Sequence, residues 1–228
     1  MRRGYGEDMP DTVILDVDGT LVDTTYEHTV AWARAFADVG LPVPGYRLHA
    51  AIGMGADLLV AEVAGDAVER AIGDEVRALH AAEFERLAVR LRLLPGADRV
   101  IGELQGRGHL VVVASSGSRT DTERALEEVP DSALLDAVVT GDDLEHGKPA
   151  PDLLDAVLAR VGGGSAVVVG DSPWDGRAAR ERGHLAVGVL TGGFSATDLR
   201  AAGAGLVFES LDEMLASADL GGRRRSPV

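Results

Sequence analysis

The stretch Val13–Thr24, VILDVDGTLVDT, sets two carboxylates, Asp16 and Asp18, two residues apart where an apolar run breaks into a glycine-containing turn. Val13–Asp16 has the character of a central β-strand. Residues two apart on an extended chain point the same way, and a turn at Gly19 would bring Asp18 back toward Asp16. Carboxylates crowded at a buried strand end repel each other and are costly to bury unpaired. The stretch therefore calls for compensating groups from elsewhere in the chain.

Working outward, the sequence reads as α/β with an insert. Thr24–Val39 reads as a helix with Val30, Ala33, Phe36 and Ala37 on its apolar face, and GLPVPG at Gly40–Gly45 is a break. From Asp57 to Leu91 the chain reads as helical, with Val68, Ile72, Val76, Leu79 and Phe84 as its stripe, and LLPGA at Leu93–Ala97 reads as a return linker. Beyond it strands and helices alternate. The strands are expected at His109–Ser115, Leu135–Thr140, Ala166–Gly170, Leu185–Val189 and Gly205–Phe208. The helices are expected at Ala97–Gln105, Thr120–Val129, Pro151–Val161, Trp174–Arg182 and from Leu211. Continuous apolar strands alternating with helices predict a Rossmann-like parallel sheet covered on both faces. About seventy helical residues between the first two strands exceed a simple crossover, and predict a separate all-helical cap at 22–90, inserted into a core made of 1–21 and 91–228. Residues 1–10 and 221–228, the latter inside GGRRRSPV, are expected to be disordered tails.

Composition narrows the function. The chain has 228 residues, 46% of them hydrophobic, with no apolar run long enough for a membrane span. Its start, MRRGYGEDMPD, lacks the apolar stretch of a signal peptide, so a cytoplasmic protein is expected. With no cysteine, thiolate metal sites, disulfides and cysteine nucleophiles are excluded. A formal charge of −15 disfavours nucleic acid as a partner. It does not exclude a small anion, because at physiological salt the Debye length is only ~8 Å. Of the 22 basic residues 21 are arginine and one is lysine, Lys148. A lysine retained in so arginine-biased a chain suggests a task that arginine's broad planar fork cannot perform.

In a parallel α/β sheet ligands bind beyond the carboxyl ends of the strands. Those ends supply Asp16 and Asp18, then Ser115 and Ser116, then GDDLEHGKPAPD with Lys148, then GDSPWD with Asp171 and Asp175. Four carboxylates, two hydroxyls and one ammonium on one edge suit an oxygen-liganded Mg²⁺ and a phosphoryl group.

These four motifs, in this order and over about Thr12–Ala216, resemble the haloacid dehalogenase-like hydrolases, most closely their phosphoglycolate phosphatase-like and β-phosphoglucomutase-like branch with a helical cap. The resemblance implies a Mg²⁺-dependent phosphatase acting on a small phosphorylated metabolite. It implies that Asp16 is the nucleophile that forms an aspartyl-phosphate, and that Asp18 is the general acid/base. Ser115, with Ser116 beside it, would bind phosphate, and Lys148 would steady nucleophile and phosphate. The metal would be held by Asp16, the Asp18 backbone carbonyl, Asp171 and, directly or through water, Asp175. A monomer or weak homodimer is expected.

Blander readings stand beside these. DxDG alone is also an ordinary Asp-Gly turn, Ser115 also a helix cap, and Lys148 also a surface lysine. GMG at Gly53–Gly55 reads as a tight helix–helix turn, with a phosphate loop facing the site as the other reading, and Trp174 as packing near the Asp171 loop. The six histidines show no metal-ligand spacing and read as structural or exposed, with Arg47 and His49 as candidate substrate contacts from the cap. Two alternative functions remain: a phosphomutase of the β-phosphoglucomutase type, although GDSPWD, with its acids four apart, resembles the hydrolases' form of the motif more than the adjacent acids common in the sugar mutases, and a catalytically silent binding module. The resemblance also disfavours dehalogenases and phosphonatases, relatives in which the position of Asp18 is typically not aspartate.

Overall fold

The computed structural model describes residues 11–143, 148, 150 and 152–217. The tails expected to be disordered, and Pro151, lie outside them. The chain runs β1 (Thr12–Leu15), α1 (Thr25–Asp38), α2 (Gly45–Ala51), α3 (Ala56–Ala64), α4 (Asp66–Leu87), α5 (Val100–Gly106), β2 (Leu110–Ala114) and α6 (Arg119–Glu127). It continues through β3 (Ala137–Val139), α7 (Asp152–Val161), β4 (Ala166–Gly170), α8 (Pro173–Glu181), β5 (Leu185–Val189), α9 (Ala196–Ala202), β6 (Leu206–Phe208) and α10 (Leu211–Ala216).

The six strands form one parallel sheet in the order β3-β2-β1-β4-β5-β6. β1 is central, with Thr12 opposite Leu110 on one side and Ala166 on the other. The order reverses between β1 and β4, which opens a crevice at their carboxyl ends where such sheets bind ligands. Alternate residues of each strand feed opposite layers. Val13, Leu15, Val111, Val113, Val167 and Val169 pack against α5, α6 and α10 through Ile101, Leu104, Leu126 and Met214. Ile14, Val112 and Val168 pack against α7 and α8 through Leu153, Leu154, Val157 and Ala179. This two-sided burial is why the strands read as continuous apolar runs.

Helices α1–α4 have a core of their own, in which Trp32, Phe36, Leu48, Ile52, Leu59, Val60 and Val76 are buried. Phe36 is fully buried there, so Phe36→Ala would cost the helical layer about 3–5 kcal/mol. Two chain crossings join this layer to the sheet, and they pair with each other: Asp23 N–H donates to Arg92 O at 2.9 Å and Leu94 N–H to Leu21 O at 3.0 Å.

Three expectations change. The helix read over Asp57–Leu91 is two helices, α3 and α4, separated at Gly65, whose φ of +93° no ordinary helical residue adopts. The buried face of α1 is Ala31, Trp32, Ala35 and Phe36, while Val30 is exposed, because two layers claim it: the α1–α4 core and a small cluster of Ala31, Phe84 and Ala88. Short helices α2 and α9 escaped the reading, since seven residues hold too few turns to show a period. Among the described residues no helix is long and apolar enough to cross a membrane.

Candidate active site

The turn after β1 places the first carboxylates. Asp16 N–H donates to Val169 O at 3.0 Å, so β1 stays paired to β4 up to Asp16. Gly19, at φ +77°, then turns the chain; a Cβ there would lie 2.4 Å from an Asp171 carboxylate oxygen, so the motif's glycine is required both by backbone and by space. The turn after β4 is equally constrained. A Cβ on Gly170 would fall 2.2 Å from the Asp175 carboxyl carbon. This lets Asp175, in the first turn of α8, fold back over its own strand and accept from Ser172 N–H at 3.1 Å and Ser172 Oγ at 2.6 Å.

These turns converge. Oxygen atoms of Asp16, Asp171 and Asp175, all buried, lie within 4.8 Å of one another. Lys148, 2% exposed, donates from Nζ to Asp16 Oδ1 and to Asp175 Oδ1, each at 2.6 Å. Thr20 Oγ donates to Asp171 Oδ1 at 3.0 Å. One ammonium thus faces three buried carboxylates. Burial, with the charges of Asp175 and Asp18, outweighs the pull of Lys148 and pushes Asp16 up to about 7. Burial and the charges of Asp16 and Asp175 raise Asp171 well above the ordinary carboxylate range, against the Thr20 hydrogen bond and Lys148. Burial works against the charge on Lys148, but Asp16 and Asp175 more than compensate and raise its pKa. An excess of buried, oxygen-only, closely spaced donors fits a hard divalent cation, which would let all three carboxylates ionise.

Asp18 faces Asp16 across the site but has different partners. Thr24 Oγ donates to Asp18 Oδ1 at 2.6 Å, and His28 Nε2 reaches the same oxygen at 3.3 Å. Burial would raise Asp18, but His28, by charge and hydrogen bond, with Thr24 and Lys148, holds it below its ordinary value. His28 Nδ1 in turn meets His80 Nε2 at 3.1 Å. Burial first, and then His28, push His80 well below the ordinary imidazole value, so its ring is neutral. A neutral His28 that gives Nε2–H to Asp18 must accept at Nδ1 from His80; a protonated one donates there instead. Phe84 stacks on His28 at 3.8 Å and Trp32 on His80 at 4.0 Å between ring centres.

Neither His28 nor His80 emerged from the sequence. The signal was present only as two i, i+4 pairs, His28 with Trp32 on α1 and His80 with Phe84 on α4, which make two matched faces once the helices are known to be neighbours.

The remaining candidates fall in various places. Ser115 is buried and its Oγ accepts from Gly117 N–H at 2.9 Å, closing the turn after β2. Ser116, beside it, lines the cavity above Asp16 and donates to Gly53 O at 3.0 Å. GMG is the α2–α3 turn and does face the site: Gly53 lines the cavity and Gly55 N–H donates to Lys148 O at 3.0 Å. Arg47 is exposed on α2 and does not line that cavity. His49 lies between Tyr26 and Phe194, with ring centres 5.4 and 4.7 Å away, and hydrogen-bonds Gly192 O at 2.9 Å. It joins helical layer to sheet outside the cavity. Trp174 is buried next to the Gly53 turn, with the Arg177 guanidinium 4.4 Å above its ring.

Residues 10–183 match the model of the haloacid dehalogenase-like hydrolases. The chain belongs to that family. It is 31% identical over 230 residues to a phosphoglycolate phosphatase of Rhodospirillum rubrum, covering 95% of each chain. It is 32% identical over 184 residues to the validoxylamine A 7'-phosphate phosphatase of Streptomyces hygroscopicus, covering 78% of this chain and 84% of that one. A hydrolase from Pseudomonas syringae of known crystal structure superposes with a TM-score of 0.84 at 31% identity, over 90% of this chain and 96% of that one. As a haloacid dehalogenase-like hydrolase, the chain joins an established fold to a buried aspartate cluster at its strand ends.

Proposed function

We propose that this hydrolase is a Mg²⁺-dependent phosphatase that cleaves a small phosphomonoester through an aspartyl-phosphate on Asp16, with Asp18 as general acid/base. The observation that carries the reading is the division of labour between two carboxylates beside one cavity. Asp16 is bound to Lys148 and crowded by Asp171 and Asp175. Asp18 is bound to Thr24 and His28 and shares none of those hydrogen bonds. Environments that push two neighbouring acids in opposite directions are those that give them separate roles. Both named relatives are phosphatases of phosphate esters with unlike alcohols, which supports the reaction type and leaves the alcohol open.

The chain's own residues act as follows. Lys148 fixes one oxygen of Asp16 and, being compact, leaves room for a phosphoryl group. An Asp16 oxygen attacks phosphorus as the bond from phosphorus to the alcohol oxygen breaks. Asp18 delivers a proton to that leaving oxygen. It then takes a proton from the water that attacks phosphorus, which releases inorganic phosphate and frees Asp16. As placed, Asp18 is a carboxylate, the form needed for the second step; for the first it must gain a proton, and of the two side chains bonded to it, Thr24 and His28, only His28 is a group that can supply one near neutral pH. When bound, Mg²⁺ held by Asp16, Asp171, the Asp18 carbonyl and, directly or through water, Asp175 supplies charge that offsets the phosphoryl oxygens. Since Asp175 already carries bonds from Lys148 and Ser172, we assign it the water-mediated place. Ser115 and Ser116 bind phosphate in this scheme. We further propose that residues 22–90 form a cap that swings on the crossings at Val22–Asp23 and Leu93–Gly96, and that the reaction runs in the cytoplasm on a metabolite rather than on nucleic acid or at a membrane.

Rapid-quench kinetics with an aryl phosphate test the assignment. Asp18→Asn should release at most about one phenol per enzyme in a burst, with steady turnover of an alkyl phosphate down ~10²–10⁴-fold. Asp16→Asn should show no burst. Equal behaviour of the two variants would sink the two-carboxylate mechanism.

A further inference from the structure

The cavity above Asp16 has about 70 Å³ of free volume. Its floor is Asp16, Asp18, Ser116 and Gly117. Its roof comes from the helical layer: Trp32, Ile52, Met54, Ala56 and Leu59, with His28 and His80 at one side. Among the described residues no arginine and no lysine lines it. Lys148 lies beneath it with both close contacts spent on Asp16 and Asp175. The chain is not short of cations near by. Arg177 and Arg180 line a separate groove together with Trp174. The roof over the nucleophile is apolar even though 21 arginines were available.

A phosphomonoester brings one dianionic group, which the Asp16–Lys148 end of the site receives. Its alcohol part must then lie under the roof. A carboxylate or second phosphate there would be shut away from water against Trp32, Ile52, Met54 and Leu59 with no counter-charge among the described residues, at a cost no apolar contact offsets. His28 cannot serve, because its Nε2 is committed to Asp18, and His80 is buried and neutral. Resting on the phosphatase reading above, we infer that the substrate's alcohol is uncharged, so that the phosphoryl group is the only anion the enzyme accepts under its helical roof. An alcohol of any size requires the roof to lift before it closes, which the two-stranded crossing at Val22 and Leu93 permits.

Two matched pairs of esters test this: 2-hydroxyethyl phosphate against 2-phosphoglycolate, and glycerol 1-phosphate against 3-phosphoglycerate. Within each pair only a carboxylate replaces a hydroxymethyl group. With Mg²⁺ present, each is assayed as a substrate by phosphate release and as a competitive inhibitor of p-nitrophenyl phosphate hydrolysis. The uncharged member should win by roughly 10²-fold in kcat/KM, or in inhibition constant where turnover is too slow to read. Met54→Arg, which places a guanidinium at a half-buried roof position, should shrink that gap at least about tenfold. Equal or better use of the carboxylate members by the wild-type protein would overturn the inference and leave the phosphatase reading intact. No hydrolysis of p-nitrophenyl phosphate at all would instead defeat the phosphatase reading, and this inference with it.

Discussion

The two faces of the cavity are built on opposite principles. The sheet face is a set of charges held at 2.6–3.0 Å by turns that allow no alternative, with Lys148 between two aspartates and Asp171 against Thr20. The helical face is a stack of rings, Trp32 on His80 and Phe84 on His28, whose side chains meet the chemistry at His28–Asp18, beside a backbone turn at Gly53–Gly55 that bonds Ser116 and the Lys148 carbonyl. The first face fixes geometry and charge; the second shapes space and leans on one acid. Changes on the sheet face should therefore be nearly all-or-none, and changes on the helical face graded.

The largest effect expected after loss of Asp16 itself is from Lys148→Arg. Charge is kept, but a planar guanidinium cannot enter a buried site built for a compact ammonium without displacing Asp16 or Asp175. We expect kcat to fall at least ~10²-fold with the protein still folded by circular dichroism. Near wild-type kcat would mean that the sheet face is less rigid than the contrast requires.

The same contrast explains what was readable in the sequence. Strand-end residues are legible because a buried parallel strand is a continuous apolar run, and the residue where it stops is at the ligand edge by topology alone. Asp16, Ser115 and Asp171 each follow their strand directly, and Lys148 stood out as the only lysine. The ring stack depends on how α1 packs on α4, which no local pattern encodes. That is why His28 and His80 were read only as structural or exposed, while Arg47 and His49, singled out as candidate substrate contacts, lie outside the cavity. The α1 face was misjudged for the same reason: two neighbouring clusters, not one, decide which of its residues are buried.

A smaller effect should come from His28→Gln, which sharpens the comparison from the helical side. The amide keeps a donor near Asp18 but cannot supply a proton or stack fully on Phe84. Turnover of an alkyl phosphate should drop roughly tenfold, because part of general acid catalysis is lost. Turnover of an aryl phosphate, whose leaving group needs little protonation, should change much less. Equal losses on both substrates would show that His28 supports only the fold.

The smallest effect concerns stability, and it separates the faces without any substrate. Asp16 is raised from 3.8 to about 7, and burial with the charges of Asp16 and Asp175 also raises Asp171 well above 3.8, so over that range the folded chain holds protons that the unfolded chain has released. Stability then falls as pH rises across that window, is fully present below about pH 4, and is lost through pH 7. A divalent cation at the cluster competes with those protons and should reverse the trend. In EDTA the Tm is expected to decline from pH 5 to pH 8. Millimolar Mg²⁺ should raise it by on the order of 5 °C at pH 8 and by much less at pH 5. Asp18, held low by His28, opposes the decline only below its ordinary range, and His80, neutral in the fold, opposes it up to about its ordinary value of 6.5, one group against two aspartates, so the decline is shallower below that pH than just above it. Asp171→Asn should flatten the EDTA profile and remove most of the Mg²⁺ response, whereas His28→Gln on the other face should leave both slopes in place. Differential scanning calorimetry at the two pH values decides it. A Mg²⁺ shift that is the same at pH 5 and pH 8, or that survives in Asp171→Asn, would show that the metal binds elsewhere than at the three aspartates.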